Sequence, residues 1–304
     1  VEDGSGLQFL VGDPRAEDNV SASATTGRLT VVATPIGNLS DISPRARETL
    51  RDATVIACED TRRTGVLLQA LGLKVPLVSL HAHNEAARLP ELLTRLGAGE
   101  RIVIVSDAGM PGVSDPGARL VAAAHAAGIR VEVIPGPSAV TAAIAAAGAP
   151  ADRFAFAGFW PRKAGERAAL LAELDRLGWP VVAFESPRRL AGLLAELAAQ
   201  DPGRRVAVCR ELSKLHEETL TGRVADLAAR FTAEPPRGEI TIVLWPRADA
   251  GLRADASRLQ DVVTLLLDAG LGPATAADVA ARLGAGARNA AYRTALAEAK
   301  RRNT

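Results

Sequence analysis

From residue 29 onward, short apolar runs alternate with stretches of helical periodicity. Leu-Thr-Val-Val-Ala (29–33) reads as a strand, and Thr34-Pro-Ile-Gly-Asn-Leu-Ser-Asp41 as the loop that follows it. Residues 44–51 predict a helix opened by Pro44, with Ser43 as its N-cap. The order then repeats, with strands over 53–58, 75–80, 102–105 and 130–134 and helices over 61–71, 85–96 and 118–127. Such alternation predicts a parallel sheet with helices packed on it. After Pro135-Gly-Pro137 an alanine-rich helix is expected over 138–147, and Gly148-Ala-Pro150 marks its end and a domain link.

A second α/β unit shows strands over 153–158, 180–184, 205–209 and 240–244, with helices near 165–177, 188–199 and 223–232. Residues 246–254 read as a linker, and 257–269, 274–283 and 287–299 as three helices separated by glycine turns. The expected organisation is a disordered tail over 1–27, an α/β domain over 28–148, a second over 149–246 and a helical extension over 252–304.

Composition agrees with that division: 304 residues at 48% hydrophobic content suffice for two or three folded domains. Residues 1–27 are rich in Gly, Ser, Ala, Thr and acid, which predicts disorder. Their charge is −4, leaving +5 on the rest of a chain whose net charge is +1. That balance argues against an all-over basic surface and leaves room for a local polyanion contact. With no apolar run of about 18 residues and no basic-then-apolar leader, no membrane partner is expected and the cytoplasm is the expected location. Cys58 and Cys209 lie in or at the end of apolar runs, as reduced core thiols would.

In open parallel sheets ligands bind beyond the carboxyl ends of strands, which draws attention to the loops after the first and fourth. The latter reads Ser106-Asp-Ala-Gly-Met-Pro-Gly-Val-Ser-Asp-Pro-Gly117. Gly109 permits close backbone approach and Pro111 holds the loop in shape. Neither the dinucleotide spacing nor a GK[ST] ending is present, which argues against a nicotinamide cofactor and NTP hydrolysis. Asp107 and Asp115 suit ribose hydroxyls or an amine, and equally suit turn and helix capping. Ser138 is similarly placed to cap a helix or to meet a polar ligand at its start. Cys58-Glu-Asp-Thr-Arg-Arg63 and Arg210-Glu-Leu-Ser-Lys-Leu-His-Glu-Glu218 crowd charge at strand ends, where general bases arise or ion pairs simply face solvent. His81-Ala-His83 lacks a clear third ligand, so no metal is expected.

Taken together, several blocks resemble the ribosomal RNA small subunit methyltransferase I family of the tetrapyrrole methylase superfamily. They are Thr34-Pro-Ile-Gly-Asn-Leu-Ser-Asp-Ile42, Cys58-Glu-Asp-Thr-Arg62, His81-Ala-His-Asn-Glu85, the 106–117 loop, Pro135-Gly-Pro-Ser-Ala139, Phe154-Ala-Phe-Ala-Gly-Phe-Trp-Pro161, Phe184-Glu-Ser-Pro-Arg-Arg-Leu190, Arg210 to Glu218 and Gly238-Glu-Ile240. Gly286-Ala-Arg-Asn-Ala-Ala-Tyr292 is similar to the end of the family's helical extension. Trp160, Arg188 and Ser213 depart from residues common there.

The resemblance implies a class III methyltransferase fold, two α/β domains with the methyl donor in the cleft between them, commonly as a homodimer. It implies S-adenosyl-L-methionine as cofactor and, as reaction, methylation of the ribose 2′-oxygen of a cytidine in the decoding region of 16S rRNA within the small ribosomal subunit. Carried over by position, the donor meets Pro35, Ile36, Gly37, Asp107, Ala108, Gly109, Pro111, Ser114, Asp115, Pro137, Ser138 and Ala139 in the first domain. Phe159, Glu185, Glu239, Ile240 and Thr241 come from the second. A ribose hydroxyl is a poor nucleophile, so a base is useful, and Glu59, Asp60, His216, Glu217 and Glu218 are the candidates. Arg62, Arg63, Arg162, Lys163, Arg188, Arg189, Lys214 and the terminal Lys300-Arg-Arg302 are candidates for RNA phosphates. Two competing expectations are a tetrapyrrole methyltransferase of the same fold and a non-catalytic ribosome assembly factor.

Overall fold

The computed structural model describes residues 27–247 and 250–302. The disorder expected over 1–27 lies outside these residues except at Gly27, which is buried and belongs to the folded chain. A Cβ at Gly27 would stand 2.1 Å from the Leu96 carbonyl oxygen, so the chain enters its first strand through a gap only glycine fits.

Two compact units emerge, one running through Thr34 and Ser40–Gly136, the other taking Pro35–Leu39 and the chain from Pro137 on. In the first, β1 (Arg28–Val32), α1 (Pro44–Arg51), β2 (Val55–Cys58), α2 (Thr61–Ala70), β3 (Leu77–Ser79), α3 (Glu85–Gly97), β4 (Arg101–Val105), α4 (Ala118–Ala126) and β5 (Arg130–Ile134) follow in order. The sheet is parallel throughout, ordered β3-β2-β4-β1-β5. Strand periodicity sorts the side chains onto two faces. Val55, Ala57, Ile102 and Ile104 pack with Leu92, Leu96 and Leu120, whereas Ile56, Cys58, Val103 and Val105 pack with Leu50 and Leu68. Ser43 caps α1 as expected, its hydroxyl accepting the Ala46 N–H at 3.0 Å. Because β1 connects toward β2 and β4 toward β5, these adjacent strands send their following loops in opposite directions. Such a switch point is where a parallel sheet offers its ligand crevice.

In the second unit the elements are α5 (Ala139–Ala147), β6 (Ala155–Phe159), α6 (Ala164–Leu177), β7 (Val181–Glu185), α7 (Pro187–Gln200), β8 (Arg205–Arg210), β9 (Glu218–Arg223), α8 (Val224–Ala233) and β10 (Ile240–Leu244). They form a sheet ordered β6-β7-β10-β8-β9 in which only β6 and β7 are parallel. Then come α9 (Ala250–Asp268), α10 (Pro273–Arg282) and α11 (Arg288–Arg302), which enclose a core of Leu259, Val263, Ala277, Ala280, Ala291 and Ala295.

Two boundaries and one strand differ from expectation. The first domain ends at Gly136, not 148, because α5 lays Val140, Ala143 and Ile144 on Val182, Ala207, Cys209 and Val243 of the second sheet. Pro35, Ile36, Gly37, Pro137, Ser138 and Ala139, expected in the first domain, thereby join the second unit. Helix α9 begins at Ala250, inside the stretch expected to be linker, and β9 was not expected at all. In β9 only Leu220 is apolar among Glu-Thr-Leu-Thr-Gly-Arg, since an edge strand with one half-open face needs little hydrophobic signal.

Candidate functional site

The loop after β4 is tied back at once to the end of β1. Thr34 and Gly109 exchange both backbone hydrogen bonds, at 2.9 and 3.0 Å, and the Thr34 hydroxyl donates to the Ser106 carbonyl at 3.1 Å. The Ser106 hydroxyl in turn donates to the Gly109 carbonyl at 3.2 Å. Gly109 (φ 84°), Gly112 (φ 82°), Ser114 (φ 64°) and Gly117 (φ 121°) all have positive φ, which turns the chain through a conformation that side chains disfavour. Ser114 accepts that conformation without glycine's freedom, the kind of local strain that functional loops store.

This loop meets the charged cluster after β2. The Asp107 carboxylate accepts the Asp60 N–H at 3.2 Å and pairs with Arg63 at 3.3 Å. Asp60 serves as N-cap of α2, accepting the Arg62 N–H at 2.9 Å, and is gripped by the Arg62 guanidinium at 3.0 and 2.7 Å. Those bonds, the guanidinium first, hold its pKa down to about 2. Glu59 goes the other way: burial, and then the neighbouring Asp107 charge, push its pKa up. Burial together with Glu59 lifts Asp115 to about 6, against the opposing pull of Ser106. One unit therefore gathers four carboxylates, Glu59, Asp60, Asp107 and Asp115, of which Glu59 and Asp115 are reluctant to ionise without a cation near.

The second unit builds its own constellation around the loop after β8. Glu211 (φ 50°) and Ser213 (φ 68°) turn the chain so that Glu211 accepts the Glu239 N–H at 2.8 Å and the Lys214 ammonium at 2.9 Å. Lys214 also reaches Glu239 at 3.1 Å, and its stem lies on Gly37, where a Cβ would stand 2.2 Å from its Cγ. These carboxylates raise the Lys214 pKa against the opposing cost of burial. Gly37, Lys214 and Glu239 thus come together, and Ile240 stands opposite Glu185 in the β7 register. Glu185 is 4% exposed and accepts from Arg189 and the Ser186 N–H, each at 2.5 Å. Phe159, 61% exposed, leans on Phe184 with centroids 5.4 Å apart, and Thr241 is buried in β10. Ser138 precedes α5 without capping it, which leaves its hydroxyl outside the helix's own bonding.

The remaining base candidates divide sharply. Glu217 is bound to the Ser213 N–H at 2.8 Å, and Glu218 is held between Arg210 at 3.2 Å and Arg230 at 3.1 Å. His216 is exposed beside Leu215, itself 92% exposed at the tip of the loop. Of the expected phosphate contacts, Arg62, Arg63, Arg189 and Lys214 are engaged by Asp60, Asp107, Glu185, and Glu211 with Glu239. Lys163 pairs with Glu166 and Arg301 with Glu298, whereas Arg162 and Arg188 are exposed without an ion pair among the described residues. Sequence reasoning missed the roles of Thr34, Ser106 and Glu211, which rest on the Thr34–Ser106 and Glu211–Glu239 bonds between separate segments.

Residues 28–228 match the family of Tetrapyrrole (Corrin/Porphyrin) Methylases. A protein of Mesorhizobium japonicum named Ribosomal RNA small subunit methyltransferase I is 44% identical over 88% of this chain and 91% of its own. One of the same name from Thermotoga maritima is 45% identical over 72% of this chain and 98% of its own. The chain belongs to the ribosomal RNA small subunit methyltransferase I family. Solved tetrapyrrole-methylase structures share this family's fold. The methyltransferase CobJ aligns with TM-score 0.56 at 24% identity, over 73% of this chain and 95% of its own. Uroporphyrin-III C-methyltransferase of Thermus thermophilus, complexed with S-adenyl homocysteine, aligns with TM-score 0.51 at 21% identity, over 71% and 97%.

Proposed function

We propose that this member of the ribosomal RNA small subunit methyltransferase I family uses S-adenosyl-L-methionine to methylate the ribose 2′-oxygen of a cytidine in the decoding region of 16S rRNA. The carrying observation is 44% identity over 88% of the chain to a protein bearing that family's name. The proposed setting is the cytoplasm, with the small ribosomal subunit as partner and the enzyme as a homodimer.

The donor carries a sulfonium cation, an amino acid and an adenosine, and the residues present suit those groups. Asp107 and Asp115 supply carboxylates for its cationic groups, and Gly109 allows close backbone approach. Within the second unit, Phe159, Glu185, Ile240 and Thr241, with Ser138 and its neighbours, are the proposed donor contacts. When bound, the donor supplies an electrophilic methyl group and leaves as a neutral thioether. The protein's work is then to align the ribose oxygen and to accept its proton.

Glu59 is the proposed base, since a raised proton affinity suits the task and Asp60, held near pKa 2, is too acidic for it. Glu217 and Glu218 are occupied by the bonds that shape their own loop and strand. Exposed Arg162 and Arg188 are the proposed RNA phosphate contacts.

Glu59→Gln should lower turnover on small subunits by about 100-fold or more at saturating donor, while Asp60→Asn, His216→Ala, Glu217→Gln and Glu218→Gln stay within about tenfold. Equal losses across the five would remove Glu59 from that role. Mass mapping of 16S rRNA from cells with and without the gene tests the reaction itself, and an unchanged set of ribose methyls would overturn it.

A further inference from the structure

The His81-Ala-His-Asn-Glu85 block has no role in the chemistry above, yet it ends in a buried charge. Glu85 is 6% exposed in the first turn of α3, and no cation pairs with it among the described residues. Its Oε1 instead accepts three backbone N–H groups: Gly117 at 3.1 Å, Arg119 at 3.1 Å and Leu120 at 3.3 Å. These are donors at the start of α4, which has Gly117 as its N-cap and therefore no capping side chain of its own. A carboxylate from a neighbouring helix fills the position and also suits the positive end of the helix dipole.

Glu85 is itself aimed by the residues before it. Asn84 accepts the His81 N–H at 2.8 Å and donates to the Ser79 carbonyl at 3.2 Å, and the Glu85 N–H donates to the His81 carbonyl at 2.9 Å. The end of β3 is thereby bent into a turn that delivers Glu85 to α4.

Gly117 is also the last residue of the loop that begins at Ser106. That loop is fixed at its start by the Thr34–Gly109 bridge and at its finish by Glu85. Between the two anchors lie Pro111, Ser114 and Asp115, with Ser114 in the left-handed region. A strained segment keeps its shape only if both ends are held.

We infer that Glu85 is a positioning residue for the methyl donor, bracing the far end of the 106–117 loop so that Asp115 and its neighbours present one fixed surface. The inference rests on the donor reading given above.

Glu85→Ala should raise the calorimetric Kd for S-adenosyl-L-methionine at least tenfold at 25 °C. Glu85→Gln, which keeps an acceptor oxygen in place, should stay within about threefold of wild type. Glu85→Asp, a milder change that draws the carboxylate back by one methylene, should raise Kd about fivefold and guards against failure of the alanine variant to fold. Amide exchange of Glu85→Asp should quicken over 107–117 and not over β4. Unchanged exchange in the loop, or quickened exchange with wild-type Kd, would overturn the brace. If wild type binds no donor, the functional reading falls and this inference with it, whereas wild-type binding with an indifferent Glu85→Asp sinks the brace alone.

Discussion

Glu59 and Asp60 are adjacent acids of similar intrinsic acidity, and their surroundings drive them apart. Burial raises one, and the Arg62 fork together with a helix N-terminus lowers the other to about 2. Asp115 is the residue whose titration can be followed. Its folded pKa of about 6 lies above the ordinary 3.8, so the fold favours its protonated form. The stability it contributes is present below about pH 3.8 and is lost as pH rises through about 6. Asp115→Asn should remove that loss, giving a Tm at pH 7.5 higher than wild type. A cationic donor prefers the ionised carboxylate, so S-adenosyl-L-methionine affinity should strengthen between pH 5 and 7 in wild type and stay flat in Asp115→Asn. Calorimetry across that range checks both arms, and parallel curves would detach Asp115 from the donor.

Elements in this chain begin in two ways, and the difference is testable. Ser43 closes the first turn of α1 with its hydroxyl, whereas Ser138 stands at the start of α5 and caps nothing. Ser43→Ala should cost about 1 kcal/mol in denaturant unfolding. Ser138→Ala should cost far less and lower donor affinity instead; a stability loss as large as that of Ser43→Ala would make Ser138 a structural cap.

Most strands and helices were legible because their apolar periodicity is strong, and the Pro44 and Ser43 start of α1 carried its own stop and start chemistry. What escaped was decided by neighbours. Strand β9 takes its conformation from pairing with β8, with Leu220 opposite Val208. The partner of α5 was equally illegible, since an alanine-rich helix fits either sheet until its small face meets Val182 and Val243.

At the scale of the molecule, α9, α10 and α11 enclose a core separate from those of the two sheets. The Thermotoga maritima relative is 98% covered by a match that takes in 72% of this chain, which leaves more than a quarter of the chain without a counterpart there. Because that helical core is self-contained, a chain ending at residue 247 should keep its S-adenosyl-L-methionine Kd within about threefold of the full-length protein. Loss of donor binding on that truncation would tie the helical extension to the donor site.

By itself the sequence determined the two α/β units, the helical extension and the loops at the ends of β1 and β4, because periodicity, proline and glycine act locally. It also carried the family, since nine ordered blocks agree where one would not. Only the tertiary structure decided which of those charges are spent and which are free. Asp60 and Arg62 satisfy each other, Lys214 braces Glu211 and Glu239 over Gly37, and Glu85 finishes a helix more than thirty residues away. A carboxylate's proton affinity and its freedom to act are set by the donors and charges within a few ångströms, and those neighbours come from distant parts of the chain.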